Sequence, residues 1–397
     1  MINIFYRKYY SPVGFGGIFL TASPSRIIAL LLFFLIVLTP VSISSSAAPP
    51  TLIKQTAFGD GLVYEQYNHP SVGEFHIVRL KLSSRMWRVQ PAINPTGITK
   101  ATSAKDLAIQ TNPDAVCAIN ASFFDPGYYP VGTVAIHGQI VSLDNRYRSM
   151  LGFKDSSGAI VELVKPKAFV TPDDYFEPIW LWGYNHPPKK DSIIAYNYHW
   201  GSSLIAVPKD GIAVVIENGM VTNIINRDSA YIPNNGLTLI FRGQSKEHLK
   251  RFQIGSNVTV GLAMPVGWEK VTDIITGGPR LIDNGRVVNV RSNHEGFESS
   301  FFKNHRRSIA GLTWNDEVFF ALFTNPVKYE SAASVLLEIN IMDAIGLDGG
   351  SSSALWVKGI RNINGGKKIP VALAVVPRRD DEPERQTIPF FKDIFQH

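Results

Sequence analysis

Apolar residues in this chain come mostly in short runs closed by Gly, Pro or Asn, not in long stripes at helical spacing. Runs of that length and boundary chemistry are strands. Phe75 to Leu82 alternates polar and apolar, as a half-buried strand does. Val116–Ile119, Thr133–Ile136, Ile160–Val164, Ile212–Ile216, Leu237–Phe241, Val258–Leu262 and Val318–Phe323 are predicted strands. Helical spacing appears in two places. Ser103 to Gln110 is a short helix, with Ser103 or Thr102 as its N-cap. Ser331 to Asp343 is a longer one, capped by Ser331, with Val335, Leu336, Ile339 and Met342 on one stripe. Ala344 to Leu347 then forms a buried strand that ends at Asp348. The pattern predicts an α+β fold, a strand-rich single domain with a few helices. Residues 166–200, rich in Pro, Trp and Tyr, read as a loop excursion over the core, either a plain surface loop or the cover of a site.

The chain also echoes itself. Arg148-Ser149-Met150-Leu151-Gly152-Phe153 resembles Arg307-Ser308-Ile309-Ala310-Gly311-Leu312. Gly132 and Gly138-Gln139-Ile140-Val141 precede the first, and Gly278 and Gly285-Arg286-Val287-Val288 precede the second. Each time a Gly-opened strand passes through a tight turn into a second strand and then into Arg-Ser. Two pseudo-repeated β-units are expected, one of them functional and the other structural.

Composition narrows the setting. The chain is 45% hydrophobic and 18% charged, too apolar for disorder. Ile27 to Leu38 is an unbroken apolar run behind Arg26, followed by Ser46-Ala47-Ala48. The run is short for a bilayer span, and with its flanks it reads as a secretory signal over residues 1–48, or an uncleaved anchor. The domain then covers residues 49–397, with its core at about 75–376. An exported protein, periplasmic or secreted, is expected, touching a membrane only through that N-terminal segment. Removing residues 1–48 takes away Arg7, Lys8 and Arg26 and no acidic residue, leaving 36 basic against 33 acidic residues. That balance argues against nucleic acid as a partner. The lone Cys117 sits in an apolar run and reads as a buried, inert thiol.

Four stretches carry chemistry. In Ile345-Gly346-Leu347-Asp348-Gly349-Gly350-Ser351-Ser352-Ser353 a strand delivers a carboxylate, and two glycines and three serines follow. The amides of Gly349, Gly350 and Ser351 can form a nest for an anion beside Asp348. In Cys117-Ala118-Ile119-Asn120-Ala121-Ser122-Phe123-Phe124-Asp125 a strand ends at Asn120, which can bond a sugar hydroxyl or a phosphate oxygen. Phe123 can stack on a sugar ring. Ile274-Ile275-Thr276-Gly277-Gly278-Pro279 brings Gly277 and Gly278 to another strand end, where a ligand could approach the backbone. Arg307 enters a strand among apolar neighbours, and its guanidinium can grip a phosphate. The nine histidines form no His-x-His or His-Glu-x-x-His pattern, so no metal cofactor is assigned; oxygen ligands for Ca²⁺ could come from Asp348 and Asn120.

In this order, Asn-x-x-Phe-Phe, Gly-Gly-Pro, Arg-Ser-x-x-Gly and Leu-Asp-Gly-Gly-Ser-Ser, the motifs resemble the phosphodiester glycosidase family, of which N-acetylglucosamine-1-phosphodiester α-N-acetylglucosaminidase is the best-known type. Tyr198-His199-Trp200-Gly201 and Ile232-Pro233-Asn234-Asn235-Gly236 add to the likeness, which runs from about Phe75 to Val376. The chain departs from the family at Ser122, usually Gly. It departs again at Leu322-Phe323-Thr324-Asn325-Pro326, usually a Val-Asp-Gly-Arg-like strand end. The resemblance implies hydrolysis of a sugar-1-phosphodiester at its glycosidic bond, with a phosphorylated glycan of the envelope or extracellular space as substrate. On this reading Arg307 and the amides of Gly349 to Ser351 hold the phosphate. Asp348 is base, nucleophile or electrostatic stabiliser, and Asn120 positions the sugar. Asp125, then Asp273, is the candidate second carboxylate. The rival readings are a non-catalytic binder of envelope polysaccharide and a metal-dependent phosphodiesterase.

Overall fold

The Cys117–Asn120 strand is paired on both sides, antiparallel to Ala354–Val357 and to Val371–Pro377, inside a five-stranded sheet completed by Arg361–Asn364 and Trp87–Ile93. Side chains alternate between its faces. Ile119, Leu355, Leu373 and Val375 enter a central apolar cluster, while Ala118, Trp356, Ala372 and Ala374 meet the helix Ala104–Thr111. Ser103 caps that helix as expected, its hydroxyl accepting the Asp106 N–H at 3.1 Å. The computed structural model describes residues 48–154, 158–291 and 295–379, so the expected signal lies outside the described residues except for Ala48. The described residues pack as one unit. None of their helices is long and apolar enough to cross a membrane.

Two larger sheets flank the central cluster. An eight-stranded sheet runs Thr51–Gly59, Leu62–His69, Gly73–Lys81, Glu317–Val327, His305–Thr313, Ile341–Gly346, Arg280–Asp283, Arg286–Val287. A ten-stranded sheet runs Met220–Ile225, Gly211–Glu217, Gly236–Arg242, Ile193–Tyr196, Gly183–Tyr184, Gln139–Asp144, Val134–Ile136, Val271–Thr276, Arg148–Lys154, Ala159–Val164. The strand-rich α+β reading therefore holds. Phe75 to Leu82 is not half-exposed, however. It is an interior strand with Val78 and Leu80 in the central cluster on one face and Phe75 and Ile77 under the second helix on the other.

The repeat is present in the pairing. Val134–Ile136 and Gln139–Asp144 form a hairpin, Arg148–Lys154 and Ala159–Val164 form another, and Val271–Thr276 inserts between the two. Arg280–Asp283 with Arg286–Val287, and His305–Thr313 with Glu317–Val327, repeat that plan around the inserted strand Ile341–Gly346. Even the first turns agree. His137-Gly138 and Asn284-Gly285 both take left-handed φ angles (51° and 82°, 47° and 71°), as a tight type I′ hairpin requires. Gly138 N–H donates to Thr272 O and Gly285 N–H to Met342 O, each at 2.8 Å.

Two expectations change. The second helix spans Tyr329–Leu337, opens at Lys328 without a side-chain cap, and stops before Asn340, whose φ is 70°. Left-handed backbone there ends any helix, and the following residues enter the inserted strand. Ile339 and Met342 prolonged the stripe only by coincidence of spacing. Residues 166–200 are not a loop excursion. They supply the strands Lys167–Pro172, Ile179–Trp180, Gly183–Tyr184 and Ile193–Tyr196, with Phe169, Tyr184 and Tyr196 buried. Part of the aromatic density is core, while Tyr175, Phe176, Trp182 and Tyr198 are exposed, and the prolines mask the strand period.

Candidate active site

The inserted strand of the second unit ends at a cleft of about 360 Å³ lined by Ser300, Phe301, His305, Arg307, Tyr329, Asp348, Gly349, Gly350 and Ser351. The strand carries Leu347 into the core with no exposure and turns out at Asp348. Burial pushes the Asp348 carboxyl above its ordinary value, opposed by the Ser352 hydroxyl, the Lys367 charge and the Gly349 N–H. Lys367 was not singled out in the sequence. Its N–H donates to Ser351 O at 3.0 Å, and its ammonium lies 4.4 Å from the centre of the Phe124 ring.

Arg307 reaches the same cleft but is not free to grip with its whole fork. It is 2% exposed. Nε donates to Val327 O at 3.1 Å, and Nη2 donates to Phe301 O at 2.9 Å and to Lys303 O. The guanidinium stacks 3.7 Å from the centre of the Tyr329 ring, with Nη1 on the side of Gly349. The position works by point charge and one edge, not by a two-pronged clamp. Burial pulls its pKa down from the usual guanidinium value, opposed by Tyr329 and the Glu330 charge.

Asn120 does not reach a ligand. It has no exposed surface, its Nδ2 donates to Asp348 O at 2.6 Å, and its Oδ1 accepts from Ser308 Oγ at 2.6 Å and Ala354 N–H at 2.9 Å. The Asp348 N–H closes the link by donating to Ala121 O at 3.0 Å. Asn120 is a clamp that seats the Asp348 turn. With its oxygen so engaged, it is no Ca²⁺ ligand. Among the described residues no group of three or more His, Cys, Asp or Glu side chains is placed to hold a metal.

The proposed second carboxylates serve turns. Asp125 Oδ1 accepts the N–H groups of Gly127 at 2.9 Å and Tyr129 at 3.0 Å. Asp273 Oδ1 accepts the His137 N–H at 3.1 Å, and Asp343, at the same place in the second unit, accepts the Asn284 N–H at 3.0 Å. Asp273 therefore belongs to the repeat's hairpin plan. Gly277 and Gly278 join the units instead of lining the cleft. Gly277 N–H donates to Ser149 O (2.9 Å), Gly278 N–H to Gly346 O (2.8 Å), and Gly346 N–H to Pro279 O (3.0 Å). Phe123 is buried against Phe297 and Phe301, behind the cleft wall, and is not placed to stack on a sugar. Cys117 is buried, and desolvation pushes its thiol pKa up, as an inert core thiol requires.

Matching hydrogen bonds give the correspondence between units. Leu347 N–H donates to Ser308 O as Gly277 N–H does to Ser149 O, so Gly278 stands where the second unit has Asp348. A side chain at Gly278 would collide with the Glu295 carboxylate and meet Phe297 at 2.8 Å. Glu295 thus brings a carboxylate from elsewhere to the place Asp348 fills directly. It accepts the N–H groups of Ser149 (2.8 Å) and Arg280 (2.7 Å), and burial raises its pKa. Arg148, the counterpart of Arg307, stacks 4.1 Å from the centre of the Phe297 ring. No sequence signal marked Glu295, Tyr329 or Phe301, because each comes from outside the repeated segment.

Residues 210–376 match the family model described as phosphodiester glycosidase. The Asn120 motif lies outside that segment. No curated protein matches the chain. Among solved structures, a hypothetical protein from Synechocystis is 21% identical over 83% of this chain, with a TM-score of 0.70. This chain spans 64% of that protein's length. A protein of Burkholderia pseudomallei K96243 described as a candidate exported protein is 15% identical, with 79% of this chain and 74% of that one covered and a TM-score of 0.61. These two likenesses are of fold. The catalytic domain of zebrafish N-acetylglucosamine-1-phosphodiester α-N-acetylglucosaminidase aligns at 13% identity over 84% of this chain and 87% of that one, with a TM-score of 0.38, too loose to argue from. Over the segment that holds Arg307, Tyr329 and Asp348, the chain is similar to the phosphodiester glycosidase family.

Proposed function

We propose that the cleft hydrolyses a sugar-1-phosphodiester at its glycosidic bond, in an exported protein acting on phosphorylated glycans of the envelope or extracellular space. The observation that carries the reading is the placement of one carboxylate, Asp348, in a cleft with the Arg307 guanidinium and the turn Gly349–Ser351. An anionic diester suits this charge pattern. Its phosphate lies toward Arg307, the Lys367 side and the turn amides, and its anomeric carbon toward Asp348. Water adds to that carbon, the bond from carbon to phosphate oxygen breaks, and the phosphate leaves as a monoester of the other partner. A phosphate needs little protonation to leave, so one carboxylate can serve. Export is supported by the apolar run Ile27–Leu38 and its flanks.

The commitment of Asp125 and Asp273 to turns favours a second reading, a glycan-binding protein without turnover. The 4-nitrophenyl diester of N-acetylglucosamine 1-phosphate separates the readings. The proposed reaction gives free sugar and 4-nitrophenyl phosphate. A phosphodiesterase gives sugar 1-phosphate and yellow 4-nitrophenol. Binding without any product supports the second reading and overturns the first.

A further inference from the structure

Arg307 and Arg148 occupy the same place in the two β-units, and each rests on the face of an aromatic ring. Under Arg148 the ring is Phe297, at 4.1 Å; under Arg307 it is Tyr329, at 3.7 Å. Holding a guanidinium over a ring needs only the π-face, and Phe297 does it without a hydroxyl. The phenolic oxygen of Tyr329 therefore adds nothing to the stack.

That oxygen is costly where it sits. Tyr329 is 1% exposed, and among the described residues its hydroxyl has no hydrogen-bond partner in distance and angle. The Arg307 guanidinium, 3.7 Å from the ring centre, acts on the phenol through its charge. A buried hydroxyl left unpaired loses its water and gains nothing in return, and phenylalanine would fill the same space. Yet Tyr329 lines the cleft wall together with Arg307, Asp348 and Ser351. Burial holds the phenol in its neutral, donating form, opposed by the Arg307 charge and reinforced by the charges of Asp348 and Glu295.

We propose that the Tyr329 hydroxyl is a ligand contact, donating its hydrogen bond to a phosphate oxygen of the molecule bound in the cleft. The inference rests on the proposed sugar-1-phosphodiester reading for the identity of that ligand, but only on an anionic phosphate for its chemistry. It makes the second unit's ring the recognising one and the first unit's ring its structural counterpart. It also adds a donor to the single edge that Arg307 offers, since two of that side chain's nitrogens are given to backbone carbonyls.

The test is Tyr329→Phe in the full chain. Phe297 shows that the ring alone supports its arginine, so the variant is expected to fold and to melt at or above the wild-type temperature. Binding of inorganic phosphate, followed by calorimetry, should weaken about tenfold, the loss of one hydrogen bond. The same phosphate affinity in wild type and variant, or a wild-type cleft that binds no phosphate, overturns the inference. Turnover of the 4-nitrophenyl diester judges the wider reading separately. A wild-type protein that binds phosphate through Tyr329 but releases no sugar keeps the contact and ends the glycosidase proposal. A wild type that releases sugar as fast as Tyr329→Phe, at the same affinity, does the reverse.

Discussion

The side-chain amide of Asn120 donates to the carbonyl oxygen of Asp348 at 2.6 Å, across 228 positions of sequence. The same side chain accepts from Ser308 and from Ala354. One buried residue thus fastens the five-stranded sheet, the Arg307 strand and the acidic turn to each other. Asn120→Ala leaves a buried carbonyl, a hydroxyl and an amide without partners. A loss of about 3 kcal/mol is expected, since each orphaned buried group costs about 1–3 kcal/mol and water relieves part of it. Chemical denaturation measures it, and an unchanged midpoint would show that the clamp is idle.

Asp348→Asn should keep the fold and lower turnover of the diester about a hundredfold or more, because the carboxylate near the anomeric centre is lost. Burial raises the folded-state pKa of Asp348 above its ordinary value of 3.8. The stability this group contributes is therefore complete below that value and is lost as pH rises through the shifted pKa. Melting curves should show Asp348→Asn level with wild type in acid and ahead of it at neutral pH. A variant less stable at neutral pH contradicts the assignment.

Two glycines of similar appearance should respond differently to alanine. Gly278 has φ of 123°, and a Cβ there meets Glu295 and Phe297. Gly350 has φ of 65°, with nothing within 4 Å of an added Cβ. Gly350→Ala should cost about 1–2 kcal/mol, the left-handed penalty alone. Gly278→Ala should cost clearly more, since clash adds to strain. Equal losses in denaturant titration would undo the claim that Gly278 is an interlock.

Low pH should weaken the fold through buried histidines. His199 is pushed down to about 4 by burial, helped by the charge of His137, and among the described residues its Nε2 has no hydrogen-bond partner. The folded pKa is depressed, so its contribution is whole above about 6.5 and is lost as pH falls toward 4. His199→Gln should flatten the stability profile in that window by up to about 3 kcal/mol. His76, pushed down to about 4 as well, keeps a residual slope. A variant with the full wild-type slope would exclude His199 as a contributor.

Period and punctuation make the strands legible, and the Arg-Ser echo marks the double unit in the sequence itself. Asp348 and its turn were legible because glycines beside a carboxylate at a strand end are hard to explain otherwise. Asn120 stands out in the sequence as a ligand contact, yet its hydrogen bonds go to Asp348, Ser308 and Ala354. An inward asparagine looks the same in sequence whether it holds a sugar or another strand. Tyr329 at the cleft and Glu295 at the matching place in the first unit are not legible, since both arrive from outside the motifs by packing that only the assembled sheets create. Aligning the units places Asp273 opposite Asp343, and two aspartates in matching hairpins indicate a shared turn.

Each β-unit keeps an empty central lane until a strand from much later in the chain arrives. The hairpins of residues 134–164 wait for Val271–Thr276, and those of residues 280–327 wait for Ile341–Gly346. During synthesis the growing polypeptide therefore carries two open ladders whose backbone groups are unpaired, and such edges recruit foreign strands. Vectorial production cannot complete the first unit until well over half of the protein has emerged. A chain halted before Gly346 leaves the second lane vacant, so truncated products should accumulate as aggregates and not as small stable domains.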